Sequence, residues 1–297
     1  MAKLNASENK ILDEIAKWKG QSPSFLNRAT DFVSKPISWL TSKFIPEDVK
    51  GSTSGLTEKV VEKIQDASQW TVNQTDVLEA AREFEIDAFA IPDLKKASIH
   101  DLDHVSEKFI EQNTRVGALS GVGTGLVGWP GLIADIPTLF LLSLRQIYHV
   151  SLTYGFDLNA SDATDRDKAF EMEYMMRVFK VATASDTVQK QRSLAELKDF
   201  EAGRESGIYG EMGGDFATKQ IGRGATSFVS KIIIKEIIER TITKKAVGLV
   251  PGLGAVFGGG FNYVYLKDVG EAAYQLYRER FLLDKKGRKR SIKIDIE

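Results

Sequence analysis

Two histidines one helical turn apart are the first residues of this sequence whose spacing could support chemistry. They lie in the run His100-Asp101-Leu102-Asp103-His104, and their i, i+4 spacing places both imidazoles on one helix face, where a divalent metal could bridge them. Glu107 could extend that face. A structural zinc site needs further ligands, however, and the polar start of an exposed helix accounts for the same residues. The favoured interpretation is therefore a helix start, and no metal site is predicted.

Asp135 is the second candidate, because it is the only charged residue between Val116 and Leu144. A carboxylate in an apolar stretch is costly unless it is paired, hydrogen-bonded or protonated. The favoured interpretation is that Asp135 caps a helix beginning at Pro137, since aspartate and proline suit the first turn of a helix. Binding of an ion or a ligand, or pairing with Arg145, is the alternative.

Familiar enzyme motifs find no support in this sequence. Residues 123–128 read G-T-G-L-V-G and match the dinucleotide pattern G-x-G-x-x-G, but they follow a charged helix instead of a strand. The chain contains neither the phosphate-binding sequence G-x-x-x-x-G-K-[ST] nor the nucleophilic-serine sequence G-x-S-x-G. Close helix packing through glycine is the favoured role of residues 123–128, and no cofactor is predicted.

Composition excludes several further classes. The 40 basic and 41 acidic side chains nearly cancel, so no global field attracts nucleic acid, and no specific nucleic-acid partner is predicted. The absence of cysteine excludes disulfides, thiolate nucleophiles and cysteine-bound metals. The N-terminus mixes Lys, Glu and Asp from Lys3 to Lys19 without an apolar core segment, so no secretory signal is predicted.

Helical periodicity predominates along the chain and predicts an all-α fold with a single multi-helix domain. Residues 1–56 are expected to form N-terminal amphipathic helices, residues 57–284 the main helical domain, and residues 285–297 a basic tail. Residues 199–224 mix glycine with charged side chains and predict a flexible connection. Individual helices are predicted over 8–18, 24–49 (as short segments), Thr57 to Phe89, Ser98 to Arg115, 268–283, and after a cap at Ser161 or Asp162.

Two glycine-rich apolar stretches are the most distinctive part of the sequence. Residues 116–134 and residues 246–266 contain no charged side chain, and small residues recur four apart in both, which lets helix backbones approach closely. We expect two glycine-rich apolar helical hairpins packed together. Their length barely meets the roughly 20 apolar residues of a membrane-spanning helix. Burial in the core is the favoured interpretation, and conditional or permanent membrane insertion is the alternative.

The same stretches carry a resemblance to the EcsC family of bacterial proteins, over roughly residues 24–281. Three groups of residues account for it: Ala134-Asp135-Ile136-Pro137 with Tyr154-Gly155, the run Val250 to Val256, and Gly260-Phe261-Asn262-Tyr263 leading to Val269 and Ala272. The resemblance implies a helical fold and a context in the bacterial envelope, but no established active site. Asp135, Pro137 and Asn262 match positions typical of the family, and Asp268 is a further candidate.

Two segments favour attachment to an anionic membrane surface. Residues 24–49 combine aromatic and basic side chains on amphipathic helices, and the C-terminal tail is polybasic. The predicted membrane contacts are Phe25, Phe32, Trp39, Phe44, Lys285, Lys286, Arg288, Lys289 and Arg290. The alternative for the tail is a solvated C-terminus.

We therefore predict a non-enzymatic, all-α protein in the cytoplasm, peripheral to the inner face of the cell membrane, where a membrane protein is a possible partner. One competing hypothesis is a hydrolase or an ion- or ligand-binding enzyme that places Asp135, Asn262 and Asp268 around one pocket. Another is a membrane-permeabilising effector whose glycine-rich hairpins leave the core and insert.

Overall fold

The structure is a computed structural model that describes residues 4–24, 53–121, 129–205, 231–247 and 260–294. These residues form α-helices and short 3-10 turns without a strand, which confirms the all-α prediction for this part of the chain. The helices are α1 (Ala6–Gly20), α2 (Thr53–Gln65), α3 (Gln74–Glu83), α4 (Ile99–Gly121), α5 (Trp129–Thr153), α6 (Asp165–Ala182), α7 (Thr187–Glu205), α8 (Lys231–Val247) and α9 (Phe261–Ile294).

Helix α9 is the central element, and it packs against α1, α4, α5 and α6. Its pairing with α4 is antiparallel, because Gly117 near the end of α4 lies beside Leu266 near the start of α9, whereas Asp103 near the start of α4 pairs with Arg278. Helix α5 lies against both and contributes a continuous apolar face to the core. The arrangement is a helical bundle in which α4, α5 and α9 are neighbours.

Glycine allows the close approach of α4 and α9. A Cβ atom added to Gly117 would lie 1.9 Å from Cδ1 of Leu266, and one added to Gly270 would lie 2.6 Å from Cγ2 of Ile110 and 2.2 Å from Nε2 of Gln146. Gly117 and Gly270 thus permit close contacts between α4, α5 and α9. The middle of each glycine-rich segment, residues 122–128 and 248–259, lies outside the described residues, so the packed hairpins stay a prediction.

Several predicted helix boundaries are wrong. The block from Thr57 to Phe89 is divided into α2, a 3-10 turn and α3, because the side chains of Asp66 and Asn73 accept hydrogen bonds from backbone N–H groups and start new elements there. Helix α6 begins after Thr164, not after Ser161 or Asp162. Thr164 and Asp167 cap each other reciprocally, which satisfies two backbone donors that an earlier cap would leave unpaired.

The predicted flexible connection also begins too early. Helix α7 continues to Glu205, so its last turns occupy the first seven positions of the predicted 199–224 linker, and Phe200 lies in the core. Residues 206–230 lie outside the described residues. The basic residues after Asp284 continue the helical backbone of α9 to Ile294. Within the described parts of the chain, no helix combines the length and apolarity that crossing a membrane requires.

Gly155 lies in the turn that follows α5 and has a left-handed backbone, with φ at 79°. We expect Gly155→Ala to lower the free energy of unfolding by about 1–2 kcal/mol, because alanine is strained at this φ and its Cβ would lie 2.5 Å from Cγ of Lys95. Urea unfolding measures the loss. Gly20→Ala is the matched control, since no atom lies within 4 Å of its added Cβ, and an equal loss in both variants would contradict the prediction.

Two buried ion pairs join α9 to its neighbours. Arg278 donates through Nη2 to Oδ2 of Asp103 at 2.9 Å, and the Tyr154 hydroxyl donates to Oδ1 of the same carboxylate at 2.7 Å. Arg280 makes a bidentate pair with Glu171 at 2.5 and 2.6 Å. Burial raises the pKa of Asp103, although the charge of Arg278 opposes the shift. These pairs fix the register of α9 against α4 and α6.

Candidate functional site

Asp135 lies in a buried polar cluster with Lys245 and Asn262, formed by three different helices. Nζ of Lys245 lies 2.6 Å from Oδ2 of Asp135, and Nδ2 of Asn262 donates to the same oxygen at 3.0 Å. The side chains of Lys245 and Asp135 are only 2% and 4% exposed. The cluster therefore joins the start of α5, the end of α8 and the start of α9.

The prediction that Asp135 caps a helix at Pro137 is wrong. Helix α5 begins at Trp129, and Pro137 lies inside it, so Asp135 is an interior residue of the second turn. Its carboxylate pairs with Lys245 on another helix and not with Arg145, which lies ten positions and roughly 15 Å farther along α5. A carboxylate in an apolar stretch is expected to be paired, and Asp135 is. Its partner Lys245 is a residue that the sequence analysis did not single out.

The electrostatics of the cluster favour a structural ion pair. Burial lowers the pKa of Lys245, and the negative charge of Asp135 opposes that shift. The ammonium group also lies 5.3 Å from the centre of the Phe261 ring, which is a favourable cation–π distance. Two donors already occupy one oxygen of Asp135. The arrangement stabilises the charges it contains and fixes three helix ends relative to one another.

Helix α8 also brings two further cations, Lys244 and Arg240, into the core. Burial lowers the pKa of Lys244 to about 8, and its Nζ donates to the backbone oxygen of Ala182 at 3.0 Å. Arg240 donates to the backbone oxygen of Lys180 at 2.7 Å. Backbone carbonyls at the end of α6 thus accept hydrogen bonds from cations of α8, as the negative end of a helix dipole favours.

The cluster lies at the end of the bundle where the described flanks of both uncharged stretches come together. Helix α4 ends and α5 begins on either side of residues 122–128, while α8 ends and α9 begins on either side of residues 248–259. We call the described residues of these stretches, 116–121, 129–134, 246–247 and 260–266, the charge-free end. Among its described residues, Val116, Leu119 and Tyr263 are large hydrophobic side chains exposed to solvent.

Asp268 does not join Asp135 and Asn262. It accepts a hydrogen bond from the Ser24 hydroxyl and lines a separate cavity of about 280 Å³ with Trp18 and Lys190. Along α9 it lies six residues, or roughly 9 Å, beyond Asn262. The geometry thus gives no support to one pocket shared by all three residues, on which the enzyme hypothesis depends.

The two histidines of the candidate metal site contact different parts of the fold. Nε2 of His100 lies 2.7 Å from the Ser7 hydroxyl, whereas the ring of His104 stacks on Phe84 with a centroid separation of 5.8 Å. Both histidines are exposed on α4. In the part of the chain that the structure describes, no three His, Asp or Glu side chains come together as a metal would require.

Comparison with known proteins establishes the family. The sequence model of the EcsC protein family matches residues 9–282. This chain belongs to the EcsC protein family. Among its relatives, the uncharacterized protein YdbA of Bacillus subtilis (strain 168) is 24% identical over 277 residues, which cover 92% of each chain. Protein EcsC of the same strain is 24% identical over 279 residues, covering 93% of this chain and 97% of that protein. No solved structure matches the chain.

The cluster brings together two of the residues on which the family resemblance was based. In this EcsC-family protein, Asp135 and Asn262 are 127 positions apart in sequence and share a hydrogen bond. Sequence reasoning missed Lys245, the third member. The available signal was its position as the last charged residue before the uncharged run 246–266, which places it at the same end of the bundle as Asp135.

Proposed function

We propose that this EcsC-family protein is a non-enzymatic, peripheral membrane protein that binds the inner face of a bacterial membrane through its charge-free end. The main observation behind this proposal is that the described residues flanking both uncharged stretches lie at one end of the bundle. Exposed Val116, Leu119 and Tyr263 add apolar surface there. Exposed apolar side chains that cluster at one end of a molecule are typical of membrane or protein contact sites.

The amphipathic segment that holds Phe25, Phe32, Trp39 and Phe44 supports the same orientation. It follows directly after Ser24, whose hydroxyl donates to Asp268 about two turns from the start of α9. Its point of departure is therefore in the half of the molecule that contains the charge-free end. Residues 25–50 themselves lie outside the described residues.

The basic residues of the C-terminus are separated from this end by the length of α9. Lys285 lies 24 residues after Phe261, which corresponds to about 36 Å along an α-helix. Lys285 also pairs with Glu8 of α1 at 2.7 Å. One flat membrane therefore does not meet both ends of a straight α9. We expect binding that depends mainly on apolar contact and only weakly on salt.

Leu119→Glu is the variant that tests this orientation. Leu119 is 77% exposed in the last turn of α4, and a charged side chain there opposes transfer into lipid. Removing one leucine contact of about 2 kcal/mol should weaken binding to vesicles roughly tenfold or more. Flotation with phosphatidylcholine vesicles, with and without phosphatidylglycerol, measures the change.

Phe89→Glu provides the matched control. Phe89 is 80% exposed and precedes the 3-10 turn at Ile91–Lys96, whose Lys95 pairs with Asp284 far from the charge-free end. This variant should bind vesicles as the unmodified protein does. Binding that requires phosphatidylglycerol, disappears in high salt and is unchanged in Leu119→Glu would instead assign the contact to the basic end and overturn the proposal.

A further inference from the structure

A cavity between α3, α4 and α5 lies away from the Asp135 cluster and has a different character. Its volume is about 600 Å³, within the range of small-molecule sites. Apolar side chains of Phe109, Val116 and Leu142 form part of the wall. Arg145 and His149 of α5 line it together with Asp76 and Glu79 of α3.

The tautomer of His149 is fixed by its neighbour Asn113. Nδ2 of Asn113 lies 2.8 Å from the backbone oxygen of Phe109, which can only accept, so this atom must be the amide nitrogen. The same nitrogen lies 2.9 Å from Nδ1 of His149, which must therefore accept. Burial and the charge of Arg145 lower the pKa of His149 to about 3, so the ring is neutral and carries its proton on Nε2.

Two donors on the α5 side of the cavity have no protein acceptor among the described residues. Nε2–H of His149 makes no hydrogen bond there, and Arg145, which is half-buried, makes neither an ion pair nor a hydrogen bond. The stacking of the His149 ring on Phe109, with centroids 4.4 Å apart, holds the imidazole in place. A fixed N–H donor beside a guanidinium group is suited to a carboxylate or phosphate.

Carboxylates line the α3 side of the same cavity. Glu83 is neutralised by an ion pair with Lys108, but Asp76 and Glu79 pair with no described cation. An anion alone would meet these two negative charges across the cavity, whereas a molecule that also carries an ammonium group would be attracted by both walls.

We propose that this cavity binds a small zwitterion, whose anionic group contacts Arg145 and His149 and whose ammonium group contacts Asp76 and Glu79. Two kinds of molecule carry such a zwitterion, a free metabolite and the headgroup of a phosphatidylethanolamine lipid. The inference is independent of membrane binding, because the four charged or polar groups that would contact the ligand lie outside the charge-free end, and Val116 is the one lining residue that belongs to both.

Calorimetric titration of the full-length protein with phosphoethanolamine tests the proposal without vesicles. We expect saturable binding, with methyl phosphate and ethanolamine each at least tenfold weaker, since each contacts only one wall. Tighter binding of dihexanoyl phosphatidylethanolamine than of phosphoethanolamine supports the lipid source, and the reverse order supports a free metabolite. The proposal is overturned if neither phosphoethanolamine nor dihexanoyl phosphatidylethanolamine shows saturable binding. It is also overturned if methyl phosphate binds as tightly as phosphoethanolamine.

Variants assign the binding to this cavity. Arg145→Gln and the pair Asp76→Asn with Glu79→Gln should each weaken phosphoethanolamine binding about tenfold or more, whereas Arg115→Gln, an exposed position of α4 outside the cavity, should not. The imidazole NMR signal of His149 should shift on binding, while those of exposed His100 and His104 stay constant. Binding unchanged in Arg145→Gln contradicts the assignment. Leu119→Glu should bind phosphoethanolamine as the unmodified protein does. A failure of the zwitterion proposal can therefore be told apart from a failure of the proposed membrane binding.

Discussion

Lys245→Met is expected to lower the free energy of unfolding by about 3 kcal/mol or more. The substitution keeps the length of the side chain but leaves the carboxylate of Asp135 buried without its cation, and removing one partner of a buried ion pair typically costs about 3–5 kcal/mol. Asn262 still donates to Asp135 but carries no charge. Urea unfolding followed by circular dichroism measures the loss as a lower midpoint.

Two further variants separate this effect from a general effect of the substitution. Lys235→Met makes the same change on the same helix, at a side chain that is 53% exposed and paired with Glu239 on the surface, so it should alter stability by less than about 1 kcal/mol. The double variant Asp135→Asn with Lys245→Met removes the unpaired charge and should recover part of the loss. A double variant that is as unstable as the sum of both single variants would contradict the assigned role of the ion pair.

Arg278→Met is the second variant with a large expected effect, and its effect should depend on pH. Asp103 then keeps the Tyr154 hydrogen bond but loses its buried cation, so we expect a loss of about 3 kcal/mol at pH 7.5. Burial already raises the pKa of Asp103 in the folded protein, and removing Arg278 raises it further. The folded variant therefore takes up a proton at higher pH than the unfolded chain does.

The sign of the pH dependence follows from this order of protonation. As pH falls from 7.5 toward 5, Asp103 takes up its proton in the folded variant before it does so in the unfolded chain, so the difference in stability between variant and unmodified protein should shrink. The comparison at each pH cancels contributions common to both proteins, such as that of His149. Urea midpoints at pH 7.5, 6 and 5 measure the trend. Arg192→Met, at an exposed position of α7, serves as control, and a difference that stays constant across this pH range would contradict the prediction.

The helices that could be predicted are those whose apolar residues recur at helical spacing without a competing cap. The pattern of Ile11, Leu12, Ile15 and Trp18 predicts α1, and the structure places this helix at Ala6–Gly20. Boundaries set by side-chain hydrogen bonds were harder to predict, because Asn73 and Thr164 act as caps only once the flanking backbone is in place. Ser161 and Asp162 offer the same chemistry at neighbouring positions, so residue type alone does not identify the cap.

The interior of the bundle was less predictable than its helices. Buried charges such as Lys245, Arg278 and Arg280 lie on helices whose sequences are rich in charged residues, and their partners are more than 100 positions away. Helical periodicity reports which residues share a face but not which distant helix covers that face. The requirement that Asp135 be paired could be inferred from its apolar surroundings, whereas the identity of its partner depends on how α5, α8 and α9 assemble.

The long separation between Asp135 and its partners has a consequence for synthesis of the chain. Residues 245 and 262 emerge from the ribosome more than 100 residues after Asp135, which at about 5–20 residues per second is a delay on the order of ten seconds. During this interval the apolar faces of α4 and α5 that α9 later covers have no native partner. Nascent chains of this protein should therefore depend on chaperones until the last helix has been made, and truncation before α9 should yield aggregates instead of a smaller folded bundle.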